Sequence, residues 1–561
     1  MNNDERKDAE ELDEYTRSAL RQGLSRRSFL RATGAGAAGL GALGMGGVAA
    51  AETVATDVCG DAYGTSSDGA ATLSFLKKPE PIADEDIAVT ETYDVVVIGA
   101  GASGVPAALS AAENGAKVAV LQKAPRPVSQ GNTGSGINLD KSDKAAMETL
   151  VARLCADNNH RSNPAIVREY VYNSGEAVNW VIDRVTKNGT QVISQGNGPH
   201  GDLLNSTGLQ LDWVTSFFGP KPYNTGDGMR GLAEVAEQAG VKFFYKTPAV
   251  HLVQDESGAV LGVIGQGHDG KYVKLLANKG VIMATGDYQN NEAMSDYFIP
   301  DIKNMGRKQF DKTGDGHAMI YWAGGVFEPI GHTKMLHDFD AGPALMCDMP
   351  FLVVNMDGER FINETVPMSL MNNYLRSAKD AGHYCQIFDA DYTTQAADWP
   401  GRVYSPEELK TWMPDDPSPK EGVIEPQINT HVADTLEELA AKLEVDPDKF
   451  VATVKRYNEL VASGKDPDFG KPAKFLVPVE KAPFYGIHRH VRVSAICSGM
   501  LIDDKHRVLD ADGGPIKGLW AIGNCSGGFY GGVDYPLTVY GMSLGRCYTN
   551  GYVVGKQVAT L

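Results

Sequence analysis

The spacing of apolar positions changes from segment to segment along this chain. Tyr93-Asp94-Val95-Val96-Val97-Ile98 is a short, β-branched and almost unbroken apolar run, the pattern of a strand covered on both faces. Gly99-Ala100-Gly101-Ala102-Ser103-Gly104 follows at once. Val105 to Asn114 is Ala-rich and predicts a helix, which Gly115 ends. Lys117-Val118-Ala119-Val120-Leu121 predicts a second strand. Strand, GxGxxG, helix and strand within about thirty residues form the dinucleotide-binding pattern. Gly99 permits the tight turn, Gly101 lets the backbone approach a pyrophosphate, and Gly104 lets the helix pack on the strand. Ala102 and Ser103 complete the turn, and the helix N-terminus offers unpaired N–H groups to phosphate. An acid for the ribose hydroxyls is expected at the end of the second strand. Gln122 stands there instead, able to hydrogen-bond a hydroxyl as a neutral partner, with Lys123 next.

The first fifty residues have a different texture. Ser25-Arg26-Arg27-Ser28-Phe29-Leu30-Arg31 leads into a mildly apolar Ala/Gly/Leu stretch that ends at Ala51. So many glycines make a poor helix and a poor bilayer span. An Arg pair, a weak apolar region and a small-residue cut site together resemble a twin-arginine signal. That assigns residues 1–51 to a signal peptide and makes the translocase a partner. It places the mature protein in the periplasm or on the outer face of the cytoplasmic membrane. The route carries folded proteins, which favours a cofactor enzyme. Residues 52–90, rich in Gly, Ser and Pro, predict a linker and an irregular lead-in.

A chain of 561 residues exceeds what one core holds, so two domains are expected after the leader. The net charge is −19, and residues 1–51 carry seven acids and seven bases, so the acid excess lies beyond them. An acidic chain lacks the basic face that nucleic acid requires. Seven scattered cysteines contain no CxxC, CxxCH or ferredoxin-like run. This predicts buried thiols, with no iron–sulfur cluster and no covalent haem on the chain. Nor do the histidines show metal-ligand spacing.

Five further stretches, taken in order, carry a family resemblance. They are Gly131–Asn138, Thr247-Pro248-Ala249-Val250, Gly280–Asp287, Thr313-Gly314-Asp315-Gly316 and Gly518–Asn524. The succession, over residues 91–561, resembles the fumarate reductase and 3-ketosteroid dehydrogenase flavoproteins. The resemblance implies non-covalent FAD and an α/β fold. A split, Rossmann-like FAD-binding domain would comprise residues 91–325 and 486–561. An inserted α+β capping domain, residues 326–485, would cover the substrate. Val250 would meet the adenine through its backbone, and Ala284, Thr285 and Gly286 would lie at the cofactor. Asp315, Asn524, Ser543 and Leu544 would run along the flavin. A loop containing Asn132, Thr133, Gly134, Ser135 and Gly136 would pass beside the ring. Val353 to Glu364 resembles the cap strand pair of that family, and Asp357-Gly358 is a good hairpin turn in its own right. His317 follows the Thr-Gly-Asp-Gly loop, where a lone His is more often structural than a covalent attachment point.

Two departures bear on chemistry. In the fumarate reductases an Arg shortly beyond the Asn-Glu pair of the cap delivers a proton. Met368 takes its place here, at the substrate, and cannot. Val493 to Gly499 stands where those enzymes carry a carboxylate-gripping His. Fumarate is therefore disfavoured. The Tyr-Pro segment near the C-terminus is similar to the ketosteroid dehydrogenase pattern. It implies that the Tyr535 hydroxyl and the Val539 N–H polarise a substrate carbonyl, by the logic of an oxyanion hole. Tyr530 is a second phenol, a candidate proton donor. His332, His337, His488 and His490 rank below the tyrosines as acid–base groups, with Arg376 and Arg492 in reserve.

The expected activity is that of an exported reductase. It would transfer hydride from FADH2 to a C=C bond activated by conjugation, as in an enone or phenylpropenoid. A separate membrane-linked donor such as a cytochrome would supply electrons, as in anaerobic respiration. The alternatives are a dehydrogenase of the ketosteroid type and, from another class, a flavin-binding protein without turnover.

Overall fold

The structure is a computed structural model that describes residues 73–195, 210–267, 269–328, 331–337, 341–399 and 401–561. The expected signal, residues 1–51, lies outside the described residues, as does the lead-in to residue 72.

The fold is mixed α/β. Its strands begin with β1 (Ile87–Ile98) and β2 (Val118–Leu121), followed by β3 (Thr133–Ile137), β4 (Val192–Gln195) and β5 (Trp213–Phe218). Next come β6 (Lys242–Phe244), β7 (Ala249–Gln254), β8 (Val260–Gln266) and β9 (Tyr272–Met283). The remainder are β10 (Lys334–His337), β11 (Leu352–Val354), β12 (His383–Phe388), β13 (Thr430–Ala433) and β14 (Phe484–His490), then β15 (Arg492–Ile496), β16 (Arg507–Leu509) and β17 (Pro515–Ala521). Five helices bear on the site: α1 (Gly104–Glu113), α2 (Pro164–Lys187), α3 (Asp315–Trp322), α4 (Met368–Leu375) and α5 (Met542–Ala559).

The main sheet has a parallel centre in the order β17-β9-β1-β2-β6. Val95, Val96 and Val97 are completely buried there, which is why their run does not alternate. β17 enters this sheet beside β9 although a long stretch of chain separates them. On one face, α5 packs against α1 through Gly551 and Gly555. A Cβ on Gly551 would collide with Ser103 O, and one on Gly555 with Ala107 O. β1 begins at Ile87 rather than Tyr93, so the end of the expected irregular lead-in is strand. The polar stretch Val89–Thr92 gives no alternation to read, and its pairing with Val273–Leu276 of β9 makes it a strand.

The expected loop at residues 132–138 is also a strand over most of its length. β3 pairs antiparallel with β5, and β5 with β4. Its glycines hide it from a reading of side-chain pattern, because they serve close approach. A Cβ on Gly134 would strike the Tyr548 ring, and one on Gly136 would strike Ser174 O of α2.

A separate antiparallel sheet runs β11-β12-β14-β13. Leu439, Leu443 and Phe450, from the helices Leu436–Leu443 and Pro447–Ser463, close its apolar face. The Asp357-Gly358 turn forms, with Gly358 at φ +81° and Asn355 N–H donating to Glu359 O at 2.9 Å. The boundary expected between residues 485 and 486 falls inside β14, which is central to this sheet. Immediately afterwards β15 pairs with β10. Among the described residues no helix is long and apolar enough to cross a membrane.

Candidate active site

The C-terminal ends of β1, β2 and β9 and the first turns of α1, α3 and α5 surround a cavity of about 700 Å³, a size typical of cofactor sites. Two glycines bring backbone close at the first turn. Gly99 has φ +101°, and a Cβ there would lie 2.5 Å from Ala284 O. One on Gly104 would collide with Gly99 O. The residues before the three helices, Ser103, Gly314 and Gly541, make no side-chain cap hydrogen bond. Val105 N–H is taken by Gly101 O and Met542 N–H by Val539 O, and the remaining N–H groups of these helix starts, with the helix dipoles, favour an anionic ligand. Gln130 Oε1 and Thr133 Oγ1 are buried in this wall without a protein partner. Glycine-lined backbone, uncapped helix starts and orphaned polar atoms together fit a dinucleotide. FAD would be held by the Gly99–Gly104 turn at its phosphates and by the first turn of α5 at its ring.

Most of the expected cofactor residues line this cavity. Gly101, Ala102 and Ser103 do so with Gly99, and Gln122 and Lys123 at the end of β2. Asn132, Thr133, Ala284, Thr285 and Gly286 continue the wall, and Asp315, Asn524, Ser543 and Leu544 complete it. Lys123 is also a tie between elements, since its Nζ donates to Asp311 O at 2.6 Å and Thr313 Oγ1 at 2.8 Å. Gln122 Nε2 donates to Arg126 O at 3.2 Å, and Asn524 Oδ1 accepts from the buried Arg546 at 2.9 Å.

Several expected residues lie elsewhere, for identifiable reasons. Gly104 supports the turn from behind. Gly134, Ser135 and Gly136 seat β3 against its neighbours rather than facing the cavity, and Ser135 Oγ donates to Tyr540 O at 2.6 Å. Pro248 and Ala249 form the wall where Val250 was expected, because successive strand residues face opposite ways. Met368 is buried at the start of α4, in the apolar core, and does not line the cavity. Tyr530 is buried behind Tyr535, their ring centroids 5.2 Å apart. His317 is likewise buried outside the wall, and burial pushes it down to about 4.

The other end of the cavity is lined by Tyr535, Val539 and Tyr540, by Met335 and His337 of β10, and by Lys308, Gln309 and Ser494. Tyr535 is fixed by its backbone, whose N–H donates to Lys334 O at 2.8 Å. The preceding Asp534 accepts from Arg376, the residue after α4, at 2.5 Å, and Asp301 bridges Arg376 at 2.7 Å and Lys334 at 2.9 Å. Arg376 is thus committed to this network. Burial holds the Tyr535 phenol far above its ordinary range, so it stays protonated and can donate. Asp287, also in the wall, is pushed up to about 6 by burial.

The histidines divide. His332 is buried against Tyr288 Oη at 2.6 Å and Glu328 O at 3.2 Å, and burial pushes it down to about 3. His488 and His490 share one face of β14 with His383 opposite. His383 Nδ1 lies 3.0 Å from His488 Nε2, and the His383 and His490 rings stack at 3.7 Å. Only His337 of the four candidates reaches the cavity. Burial, then Lys308 and Arg492, push it down to about 3, so it is neutral. Lys308, Ser494 and Asp287 were not foreseen. The stretch around Lys308 has no periodic pattern, and only a contact distant in sequence, Lys308 N–H to Val493 O at 3.0 Å, puts it there. Among the described residues no group of three or more His, Cys, Asp or Glu could hold a metal ion. None of the six described cysteines forms a disulfide, and all six are buried.

Comparison with known proteins agrees with this geometry. A family model described as FAD binding domain matches residues 94–535. The vinyl phenol reductase of Lactiplantibacillus plantarum is 27% identical over 507 residues, covering 84% of this chain and 97% of that protein. The NADH:fumarate oxidoreductase of Klebsiella pneumoniae is 24% identical over 480 residues, and the match spans 82% of this chain but only 47% of that protein. Among solved structures, the open conformation of a flavocytochrome c3 fumarate reductase superposes with a TM-score of 0.66 at 24% identity. That match covers 84% of this chain and 79% of the other, and shows a shared fold.

Proposed function

From the premise that this chain belongs to the FAD binding domain family and is an FAD-binding oxidoreductase, we propose that it reduces a C=C bond activated by conjugation to a carbonyl or aromatic group. Relatives that are flavin-dependent reductases of C=C bonds support the reaction type. The observation that carries the reading is the presence of Tyr535 and Val539 in the wall of the same cavity as the nucleotide turn.

When bound and reduced, FAD supplies a hydride. The chain's own residues set the acceptor. The Tyr535 hydroxyl and the Val539 N–H donate to the substrate's activating group and draw electron density from the β-carbon. Burial keeps the phenol protonated, so its O–H holds the charge that develops on the substrate's activating group as the hydride reaches the β-carbon, and another acid of the site protonates the α-carbon. Tyr530 packs behind it and fixes the ring. Apolar Met335 and Leu537 exclude water beside these donors.

The FAD-binding unit comprises residues 91–325 and the C-terminal segment, and the sheet β11-β12-β14-β13 with its helices is the cap. Residues 1–51 are a twin-arginine signal, and a separate membrane-linked carrier such as a cytochrome delivers electrons outside the cytoplasm. Met368, buried in the core, supplies no proton, so fumarate is a poor acceptor.

Anaerobic mixing of reduced protein with a panel of unsaturated compounds tests the reaction. Enones and aryl alkenes should reoxidise the flavin rapidly, and fumarate slowly. Bleaching of oxidised protein by the saturated compounds would instead indicate a dehydrogenase. No response to either series would leave a binding protein.

A further inference from the structure

β10 runs along the wall of the substrate end like a ruler. Tyr535 is hydrogen-bonded to its first residue, Lys334, while His337 at its last residue also faces the cavity. Three residues at about 3.3 Å each separate these points by about 10 Å. The chemistry differs sharply between the two ends. Near Tyr535 the donors are neutral. At the far end His337 is the cross-strand partner of Arg492. Lys308 is clamped beside them through Val493, the register partner of Leu336. Burial and then Arg492 push Lys308 down to about 8, and after burial both cations depress His337. Like charges gathered in a partly buried site are mutually unfavourable, and an anion placed among them relieves that cost. Ser494, the bulged residue between Val493 (opposite Leu336) and Ala495 (opposite Met335), adds an independent sign of a ligand midway along β10. Its residue is only 6% exposed, it lines the cavity, and its hydroxyl has no protein partner.

We infer that the wall around Lys308 and Ser494 is an anion subsite. Lys308 and Ser494 would bind a carboxylate or phenolate of the substrate, with His337 as a neutral wall. The proposal rests on the reductase reading and narrows it. The acceptor is an elongated, singly anionic molecule whose activated alkene lies near Tyr535 and whose acidic group lies further along β10, beside Lys308 and Ser494. Neutral polycyclic enones match only the first requirement.

The test uses the FAD-loaded protein and three saturated ketones that cannot be reduced at carbon. They are 4-(3-oxobutyl)benzoate, its primary amide, and 4-(4-hydroxyphenyl)butan-2-one, titrated by the change in flavin absorbance. The benzoate should bind at least about tenfold tighter than the amide, the value of one charge-assisted hydrogen bond. Lys308→Met should abolish that preference at unchanged FAD content, Lys308→Arg should keep most of it, and Ser494→Ala should weaken it. A phenol that binds like the benzoate, with the same Lys308 dependence, supports the subsite with a phenolate as its anion. Equal binding of benzoate and amide, no binding of the benzoate, or a preference that survives Lys308→Met overturns it. The unsaturated amide separates the two ideas. If reduced protein turns it over while no anion preference exists, the subsite fails and the reductase reading stands. If neither the unsaturated amide nor the unsaturated benzoate is reduced, the reductase reading itself fails.

Discussion

Tyr535 and Gly101 show how differently single residues can be read from sequence. A phenol that donates to developing charge is worth about 10²–10³ in rate. Tyr535→Phe should therefore slow flavin reoxidation by at least about tenfold with FAD content unchanged, measured by single-turnover absorbance and by flavin released on acid precipitation. Gly101 is a cofactor residue in a stricter sense. A Cβ there would meet only Val128 O, at 3.4 Å, within ordinary contact. Gly101→Val should thus fold, giving a normal circular dichroism spectrum, yet purify without flavin. Loss of fold instead would show that the glycine serves the turn rather than the ligand. Gly99, Gly101 and Gly104 were legible because backbone geometry at a phosphate-binding turn has few solutions. Met368 was not. Its sequence position beside the cap motif says nothing of the helix that begins there and turns the side chain into the core.

Elements joined by buried charge make a second kind of claim. Arg376, at the C-terminal cap of α4, reaches Asp534, and through Asp301 it meets Lys334 of β10. The network holds the backbone from which Tyr535 projects, so Arg376 is a positioning residue. Arg376→Met should lower the rate constant for reduction several-fold while leaving substrate affinity and FAD content near normal. Combining it with Tyr535→Phe should add little, because residues acting through one another are not additive. A full additive loss would separate Arg376 from Tyr535. Unbroken apolar runs, such as β2 and the second half of β1, could be read directly. β3 could not, since Gly134 and Gly136 are there to admit Tyr548 and α2 and leave no pattern. Lys308 and Ser494 escaped for a related reason: only the pairing of β10 with β15 brings them to the cavity.

Over the whole chain, the order of motifs sufficed to suggest a mixed α/β flavoprotein, because the turns at Gly99, Gly286 and Gly523 each follow an apolar strand. The domain boundary near residue 485 could not be placed to the residue, since β14 and β15 are separated by Val491 alone yet belong to different sheets. Export is the property of the intact chain that residues 1–51 are proposed to confer. Replacing both Arg26 and Arg27 with Lys should leave flavin-loaded precursor in the cytoplasm, as read by fractionation and immunoblotting, and unchanged export would remove the signal assignment. The central claim, that a Tyr535-centred site reduces an activated alkene, is tested most directly by anaerobic stopped-flow. Photoreduced protein is mixed with 4-(3-oxobut-1-enyl)benzoate, and the return of oxidised flavin absorbance is followed for wild type and Tyr535→Phe. The account predicts rapid reoxidation with one equivalent of saturated ketone formed, slowed at least about tenfold in the variant. Equal rates for the two proteins, or reoxidation faster with fumarate than with the enone, would contradict it.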